Sequence, residues 1–377
     1  MATKKKKAVE EETVATNVLT VKTAKLQEMV SRAEKGAGNN KLLPITQMLA
    51  IKLEDNVLKL ITTDATNYLY VKEDKVPGED FYAVVPEDTF VRLISKMTCD
   101  SISLELKETV LEVTGNGKYS IDLQFEDDGT MVQYPDPLAD FKATNKKAVE
   151  INKTTVDAIL NTVKPALATN LENPCYTGYY VGDTVVATDG LLINILNVDM
   201  LNATKLVRAE VMDLLAVMDS EKIKAFFNED NAEIVFQSNT CDIYGRDLEG
   251  IEDYEIDAIS EYMEKDFPSS CKLSKATLLQ LLDRLALFVT DYDKGAISLT
   301  FTKDGLQISS MNTSGVELIP YIESNDFSDF TCSIDVNMLA KQIKAQSGEV
   351  VNLFYGDEDT VKLADGNVIQ IIALLEV

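Results

Sequence analysis

The stretch GDTVVATDGLLINIL, residues 182–196, shows the pattern that decides the fold of this chain. It opens with a Gly-Asp turn, runs through alternating apolar residues, turns at a small polar corner and continues as a second strand. This order is typical of a β-hairpin. Two further stretches follow the same plan, DNVLKLITTDATNYL (55–69) and DGLQISSMNTSGVEL (304–318). The sequence therefore contains three similar hairpins.

The corners of the three hairpins are polar and evenly spaced. Asp64, Asp189 and Asn312 occupy them, at separations of 125 and 123 residues. Such a spacing predicts three diverged copies of one unit of about 120 residues. For Asp64 and Asp189 we expect an Asx turn, in which the side chain binds the backbone and holds the corner.

A helical pattern precedes each hairpin and another follows it, with apolar residues recurring at i, i+3, i+4 and i+7. The six segments are 23–35, 86–97, 152–168, 206–218, 275–290 and 335–346. Alternating strands follow each second helix. The order helix, hairpin, helix, strands, three times over, predicts an α+β fold in which each unit packs two helices on antiparallel sheets. Pro165 is expected to end its helix near Lys164.

Polar stretches that contain proline, near 135–147 and 264–270, mark the boundaries between the units. We predict a charged tail at 1–16 and three domains at 17–143, 144–266 and 267–377. The lysine run at 4–7 is read as solvated tail, with a localisation or nucleic-acid role as the alternative.

The composition is that of a soluble globular protein. Hydrophobic residues make up 45% of the 377, and no run of 18 apolar residues predicts a membrane span. No apolar stretch follows the basic N-terminus, so a secretory signal is not expected. Five cysteines without a CxxC pair indicate free thiols in a reducing cytoplasm.

The chain has no histidine, which removes the commonest general base and transition-metal ligand. We therefore expect no enzyme activity, no metal and no cofactor. A carboxylate or metal-dependent enzyme is the rival interpretation, because acidic clusters occur at 126–128 and 357–359. Solvated turns are the ordinary explanation of such clusters.

The net charge of −26 argues against binding a polyanion, but the charge is unevenly distributed. The six predicted helices together carry +3, which leaves −29 on the rest of the chain. A shared basic helix face could neutralise phosphates without reading bases, and ordinary solvated surface is the alternative. The residues predicted to face DNA are Lys25, Arg32, Arg92, Lys96, Lys153, Lys164, Arg208, Arg284, Lys341 and Lys344.

At the corner Val-Val-Ala-Thr-Asp-Gly, residues 185–190, the sequence resembles the bacterial DNA polymerase III beta-subunit sliding clamps. Matching stretches are Leu-Pro-Ile at 43–45, Thr-Thr-Asp at 62–64 and Ile-Ser-Ser-Met-Asn at 308–312. The resemblance extends from about residue 19 to the last residue. Each motif is weak alone, and their order, spacing and triplication make them specific.

The resemblance implies a processivity factor, a head-to-tail homodimer ring whose helices line a hole around duplex DNA. Domain 1 of one subunit would meet domain 3 of the other. The ring would tether a DNA polymerase without sequence preference, in the cytoplasm of a bacterium or of a phage-infected host. A separate clamp-loader ATPase would be required, since no GxxxxGK[ST] loop occurs. No membrane partner is expected. The alternative is an acidic, non-ring protein-binding module or decoy of a DNA-binding partner.

The resemblance also implies a pocket for short apolar peptides from partners. It would be formed by Thr188, Gly190, Leu191, Leu192, Ile193, Ile251, Tyr254, Ile371, Ala373 and Leu375. For residues 191–193 strand core is an equal alternative. The sequence departs from the family at Leu-Leu-Ile after the glycine, at Glu252 and in its last five residues, so a different peptide preference is expected. The acidic, divergent chain would suit a phage clamp.

Overall fold

The first series of elements begins with a strand that the sequence pattern had not indicated. The computed structural model describes residues 18–145, 147–290 and 295–376; the N-terminal lysine run lies outside them. The elements are β1 (Val18–Lys22), α1 (Thr23–Ala33), β2 (Met48–Glu54), β3 (Val57–Thr63), β4 (Tyr68–Glu73), β5 (Phe81–Pro86), α2 (Glu87–Ser95), β6 (Ser101–Leu106), β7 (Val110–Thr114), β8 (Lys118–Asp122) and the short α3 (Pro137–Asp140).

The second series repeats the order of the first. It consists of β9 (Val149–Asn152), α4 (Lys153–Ala158), β10 (Gly178–Val181), β11 (Val185–Thr188), β12 (Leu192–Leu196), β13 (Lys205–Arg208), α5 (Ala209–Leu215), β14 (Lys222–Asn228), β15 (Glu233–Gln237) and β16 (Cys241–Arg246).

A helix absent from the other series, α6 (Ile256–Glu264), precedes the third. The third series then consists of β17 (Ser269–Ser274), α7 (Lys275–Leu285), β18 (Ala296–Thr302), β19 (Gly305–Ser310), β20 (Val316–Ile319), β21 (Glu323–Asn325), β22 (Phe330–Asp335), α8 (Val336–Ala345), β23 (Val350–Tyr355), β24 (Thr360–Asp365) and β25 (Val368–Ala373). The predicted α+β fold and its triple order are confirmed.

The chain divides into two compact units. Unit 1 contains residues up to Asp140 together with Asn239–Ile243, and unit 2 contains Phe141–Ser238 and the residues from Tyr244 onward. Unit 1 has two four-stranded arrangements, β1-β6-β7-β8 and β5-β2-β3-β4, with α1 packed against α2. The division does not test the predicted domain bounds, which stay a prediction.

Unit 2 is built on a nine-stranded sheet of order β13-β10-β11-β12-β25-β24-β23-β17-β21. Strands of the second and third series meet in its middle, where β12 pairs antiparallel with β25 from Leu192↔Ile372 to Leu196↔Val368. Helix α8 packs on β25 and on the helical turns that follow α4, and α7 packs beside α8. One continuous core therefore supports both series in this unit.

The helix of the second series is less regular than the pattern predicted. α4 ends at Ala158 and continues as a π turn over Ile159–Val163 and a 3-10 turn over Lys164–Ala166. Pro165 lacks the amide hydrogen that a regular helix needs, so the chain tightens into the 3-10 turn before it leaves the helix. The regular α-helix ends several residues before the predicted position.

Arg208 was predicted to lie on a helix, and this is wrong. It is the last residue of β13 and pairs with Gly178 of β10, so α5 begins one residue later at Ala209. The backbone of Arg208 is extended (φ −60°, ψ 144°), as expected for the residue that precedes a first helical turn.

No helix in the described part of the chain is long and apolar enough to cross a membrane. All five cysteines are free, and four of them are buried. Burial raises the pKa of the Cys271 and Cys332 thiols to about 12, so these two side chains are neutral at physiological pH.

Candidate partner site and basic surfaces

The hairpin corners are held by their own side chains, as predicted. Asp64 Oδ1 accepts hydrogen bonds from the backbone N–H groups of Thr66 (2.8 Å) and Asn67 (2.7 Å). Asp189 Oδ1 accepts in the same way from Leu191 (2.9 Å) and Leu192 (2.7 Å). These are Asx turns, which explains why a short acidic residue recurs at the corner.

The corner of the second series is stabilised by a further hydrogen bond. The backbone N–H of Gly190 donates to Thr188 Oγ1 at 3.0 Å, and Gly190 has a φ of +91°, a conformation that glycine adopts without strain. Leu191 consequently projects at the tip of the corner, where it is 48% exposed. An exposed leucine at a rigid corner is a candidate contact for a partner.

The β12–β25 pairing brings most of the predicted pocket residues together. Ile193 lies opposite Thr188 on one side and opposite Ile371 on the other, and the Leu191 carbonyl accepts a hydrogen bond from Ala373 N–H at 2.9 Å. We call Leu191, Ile193, Ile251, Ile371 and Ala373 the partner surface. Ile193, Ile251 and Ala373 are half-buried, and Ile371 is buried.

Two predicted pocket residues do not share this surface. Leu192 is 1% exposed and alternates with Ile193, so it points to the opposite face of the sheet, where the helices pack. For Leu192 the strand-core alternative is correct. Leu375 lies past the end of β25, where its N–H donates to the Ser333 carbonyl at 2.8 Å.

Tyr254 anchors the segment that runs from Ile251 into α6. Its ring stacks on Tyr180 at 5.4 Å and meets Tyr176 edge-on at 5.3 Å, and its hydroxyl donates to the Val186 carbonyl at 3.3 Å. Burial raises the pKa of Tyr254 well above its usual value of 10. The segment is therefore fixed to the sheet beside Ile193, with which Ile251 shares an apolar cluster.

Helix α6 was missed by the sequence reasoning. Ile256, Ile259 and Met263 recur at i, i+3 and i+7 and pack against the same cluster. That periodicity is the signal that could have revealed the helix. It was hidden by a polar composition, since the other residues of the nine-residue helix include three acids and no base.

The predicted DNA-facing residues fall into two groups, according to whether they form an ion pair with a carboxylate. Lys25 contacts Glu73 (3.0 Å) and Glu28 (3.2 Å), and the hydrogen bond to Glu73 is the main cause of its raised pKa. Ion pairs also engage Arg32 with Glu28, Arg92 with Asp88, Lys153 with Asp157, and Lys164 with Asp213.

Lys96, Lys341 and Lys344 are exposed and have no ion pair within the described residues. Lys341 and Lys344 line a groove between α7 and α8 of about 250 Å³. Among the residues predicted to face DNA, these three side chains are therefore the ones that carry an exposed charge without an ion pair inside the described ranges. Arg208 differs from them, because its Nε atom is buried and has no hydrogen-bond partner among the residues that the structure describes.

Arg284 is also engaged by a carboxylate. Its guanidinium binds Glu317 of β20 through two contacts of 2.8 and 2.5 Å, and this hydrogen bonding raises the pKa of Arg284. Exposed apolar residues occur on the same two elements: Leu287 (81% exposed) and Phe288 (45%) on the 3-10 turn that follows α7, and Val316 (51%) and Leu318 (53%) on β20.

The sheet edges formed by β20 and β8 carry exposed large side chains. β20 is the last strand of the sheet β20-β19-β18-β22, and β8 is the last strand of β1-β6-β7-β8. Tyr119 of β8 is 41% exposed. Unpaired strand edges with apolar side chains are ready to pair with another chain unless something covers them.

The acidic clusters form turns. In the first, Asp128 Oδ1 accepts hydrogen bonds from the N–H and hydroxyl of Thr130. In the second, Asp357 accepts from the N–H groups of Asp359 and Thr360 and pairs with Lys265 at 2.6 Å. No group of three or more metal-ligating side chains was found in the described ranges. The ordinary explanation of both clusters is sufficient.

No protein-family model matches the sequence, and no curated protein is significantly similar to it. Solved structures do match over 96% of the chain. The beta subunit of the DNA polymerase of Streptococcus pyogenes has a TM-score of 0.83 at 16% identity, with all of its own chain covered. The sliding clamp of Bacillus subtilis has a TM-score of 0.82 at 15% identity with 99% covered, and the beta subunit of DNA polymerase III of Thermotoga maritima has 0.80 at 13% with 99% covered. The chain therefore has, over nearly its whole length, the fold of the bacterial DNA polymerase sliding clamps.

Proposed function

We propose that this protein is a sliding clamp, which encircles duplex DNA and holds a DNA polymerase on its template. The observation that carries the proposal is the triple series of elements in the fold of known clamps over 96% of the chain. A tether of this kind works by enclosure and needs no catalytic group, metal or cofactor. The three domains would be residues 17–143, 144–266 and 267–377, acting in the cytoplasm of a bacterium or an infected host cell.

A closed ring requires two different edges on each subunit that fit one another. The edge of β8 with Tyr119 and the edge of β20 with Val316 and Leu318 meet this requirement, because within the described part of the chain both lack a neighbour strand on one side and both expose large side chains. We propose a head-to-tail homodimer in which β8 of one copy pairs with β20 of the other. Leu287 and Phe288 would cover the junction.

DNA contact in such a ring is expected to be weak and independent of sequence. Most predicted basic residues are already neutralised by nearby carboxylates, which leaves Lys96, Lys341 and Lys344 to compensate phosphate charge. With few charges free, affinity starts low and falls less with salt than it would for a surface with many phosphate contacts, so a ring could slide. A clamp-loader ATPase would have to open the ring on DNA.

Retention on DNA tests the enclosure directly. A clamp loaded on nicked circular DNA by the loader of its host should stay bound through gel filtration and be lost rapidly after the circle is linearised. Light scattering should give twice the monomer mass of 41.7 kDa. A monomer at micromolar concentration with equal loss from both DNAs would instead favour the acidic decoy, which the charge of −26 motivates.

Two sets of substitutions separate assembly from DNA contact. Leu287→Glu with Leu318→Glu should give monomers, because four extra charges per dimer would lie within the apolar junctions. Lys96→Glu, Lys341→Glu and Lys344→Glu together should leave the dimer intact and reduce DNA association at low salt. Lys75→Glu, Lys142→Glu and Lys303→Glu together are a charge-matched control on exposed residues that no part of the proposal uses. An unchanged salt dependence in the triple variant would exclude these lysines as phosphate contacts.

A further inference from the structure

Two rows of acidic side chains border the partner surface of unit 2. The first row, Glu252, Asp253 and Asp257, lies on the segment that Ile251 and Tyr254 fix beside Ile193. The second row, Glu358 and Asp359, lies on the loop between β23 and β24. That loop is joined to the end of β25 because Leu374 N–H donates to the Asp359 carbonyl at 2.7 Å.

These five carboxylates are exposed, and none forms an ion pair within the residues that the structure describes. The nearby basic side chains are already engaged. Lys265 binds Asp357 at 2.6 Å. Lys362 donates to the Lys265 carbonyl at 3.0 Å and lies over the rings of Phe267 and Phe354. The five carboxylates therefore have no paired counter-ion within the described residues.

The surface between the two rows is apolar, and one leucine side chain projects from it. Leu191 is 48% exposed at a corner that two side chains hold rigid, and Ile193, Ile251 and Ala373 are half-buried around it. An apolar patch rimmed by polar residues marks an interaction site. The sign of the charge at the rim selects among partners, because like charges placed opposite one another oppose association.

We propose that the partner surface takes a short peptide whose apolar anchor is flanked on both sides by lysine or arginine. The inference rests on the proposed function for the existence of a peptide partner. The sign of the flanking charge comes from the two acidic rows and their lack of internal counter-ions. Anchor residues would contact Leu191 and Ile193, and the flanking cations would reach Glu252 on one side and Glu358 on the other.

Fluorescence anisotropy with three labelled peptides tests the charge. The probes share a Leu-Leu-Phe anchor and carry two lysines, two serines or two glutamates at each end. Wild-type protein should bind the lysine peptide at least about tenfold more tightly than the serine peptide, and the glutamate peptide most weakly. The preference for lysine should shrink as sodium chloride rises from 50 to 500 mM, since the side chains involved are exposed.

Glu252→Lys with Glu358→Lys should weaken binding of the lysine peptide about threefold to tenfold and strengthen binding of the glutamate peptide. Glu108→Lys with Asp127→Lys changes the net charge equally at exposed, unpaired positions of unit 1 and should leave both affinities unchanged. Leu191→Ser should weaken all three peptides alike. Together the three variants separate the local charge, the total charge and the apolar anchor.

Each outcome decides the proposal. Equal affinity for the three peptides, a preference for glutamate, an equal effect of the control pair, or no binding at all would overturn it. Retention on circular DNA, measured on the same preparations, keeps the two proposals apart. Retention without lysine-peptide preference would leave the clamp function standing and remove the basic partner. A preference for the lysine peptide in a protein that is not retained on circular DNA would support the basic partner and remove the clamp function.

Discussion

The two faces of the β12–β25 pair use opposite kinds of contact, although they are built from alternating residues of the same strands. On the helix face, Asn194 and Gln370 lie directly opposite each other and are fully buried. Asn194 donates to the Thr162 carbonyl at 2.7 Å, and Gln370 donates to Gln342 at 2.7 Å. On the other face, Ile193, Ile195 and Ile369 contact the segment that contains Tyr254 and α6. We call this second side the capped face.

The difference indicates which side of the sheet can accommodate a different binding group. Amide hydrogen bonds are directional, so the helix face fixes α8 and the turns after α4 in one position. Apolar contact is not directional and depends mainly on buried area, so the capped face accepts other apolar groups of similar size. A surface that must receive peptides from several partners is better placed beside the second kind of contact.

Removing the Tyr254 ring should have the largest effect. Tyr254→Ala empties a buried aromatic site and should lower the free energy of unfolding by about 3–5 kcal/mol, measured by urea denaturation. It should also release the segment that bears Ile251, so affinity for apolar peptides should change as well. Tyr262→Ala is the control, since Tyr262 lies half-buried on α6, the helix that follows Tyr254. Equal losses in the two variants would show that Tyr254 is not the anchor of the capped face.

Breaking the amide contacts should have an intermediate effect. Gln370→Met keeps the side-chain length but leaves the groups of Gln342 and Gln346 without their partner, which should cost about 1–3 kcal/mol of unfolding free energy. Peptide affinity should not change, because the substitution faces the helices. Gln307→Met, at an exposed position of β19, provides the comparison. If Gln370→Met weakens peptide binding as much as stability, the two faces are not independent.

Removing only the Tyr254 hydroxyl should have the smallest effect, about 0.5–1 kcal/mol at neutral pH, because the ring contacts remain and the bond to Val186 is long. Its pH dependence is more informative. The raised pKa keeps the folded phenol protonated, so the associated stability is fully present below pH 10 and is lost as pH rises above it. Tyr254→Phe should therefore lose less stability than wild type between pH 9 and 11. Parallel curves would place the phenol in contact with water.

Local chemistry was predictable where it depended on neighbours in sequence. The Asx turns at Asp64 and Asp189 follow from a short acidic side chain near its own backbone. Arg208 was wrongly assigned to a helix because the four residues that end at it form β13. This strand exists only through its pairing with β10, which joins residues that are distant in sequence. For Leu192 the sequence left pocket and strand core open, because the face to which a strand residue points depends on the register of β12 with β25.

The sequence by itself determined the triple order of helices and hairpins, the acidic remainder and the corner at Asp189, because periodicity and turn chemistry act over a few residues. Only the tertiary structure decided which basic side chains form ion pairs with carboxylates. Lys25 and Arg284 are neutralised by Glu73 and Glu317, residues that lie 48 and 33 positions away along the chain. It also decided that α6 packs on the sheet beside Ile193, because the position of an amphipathic helix depends on the apolar surface available to its apolar face.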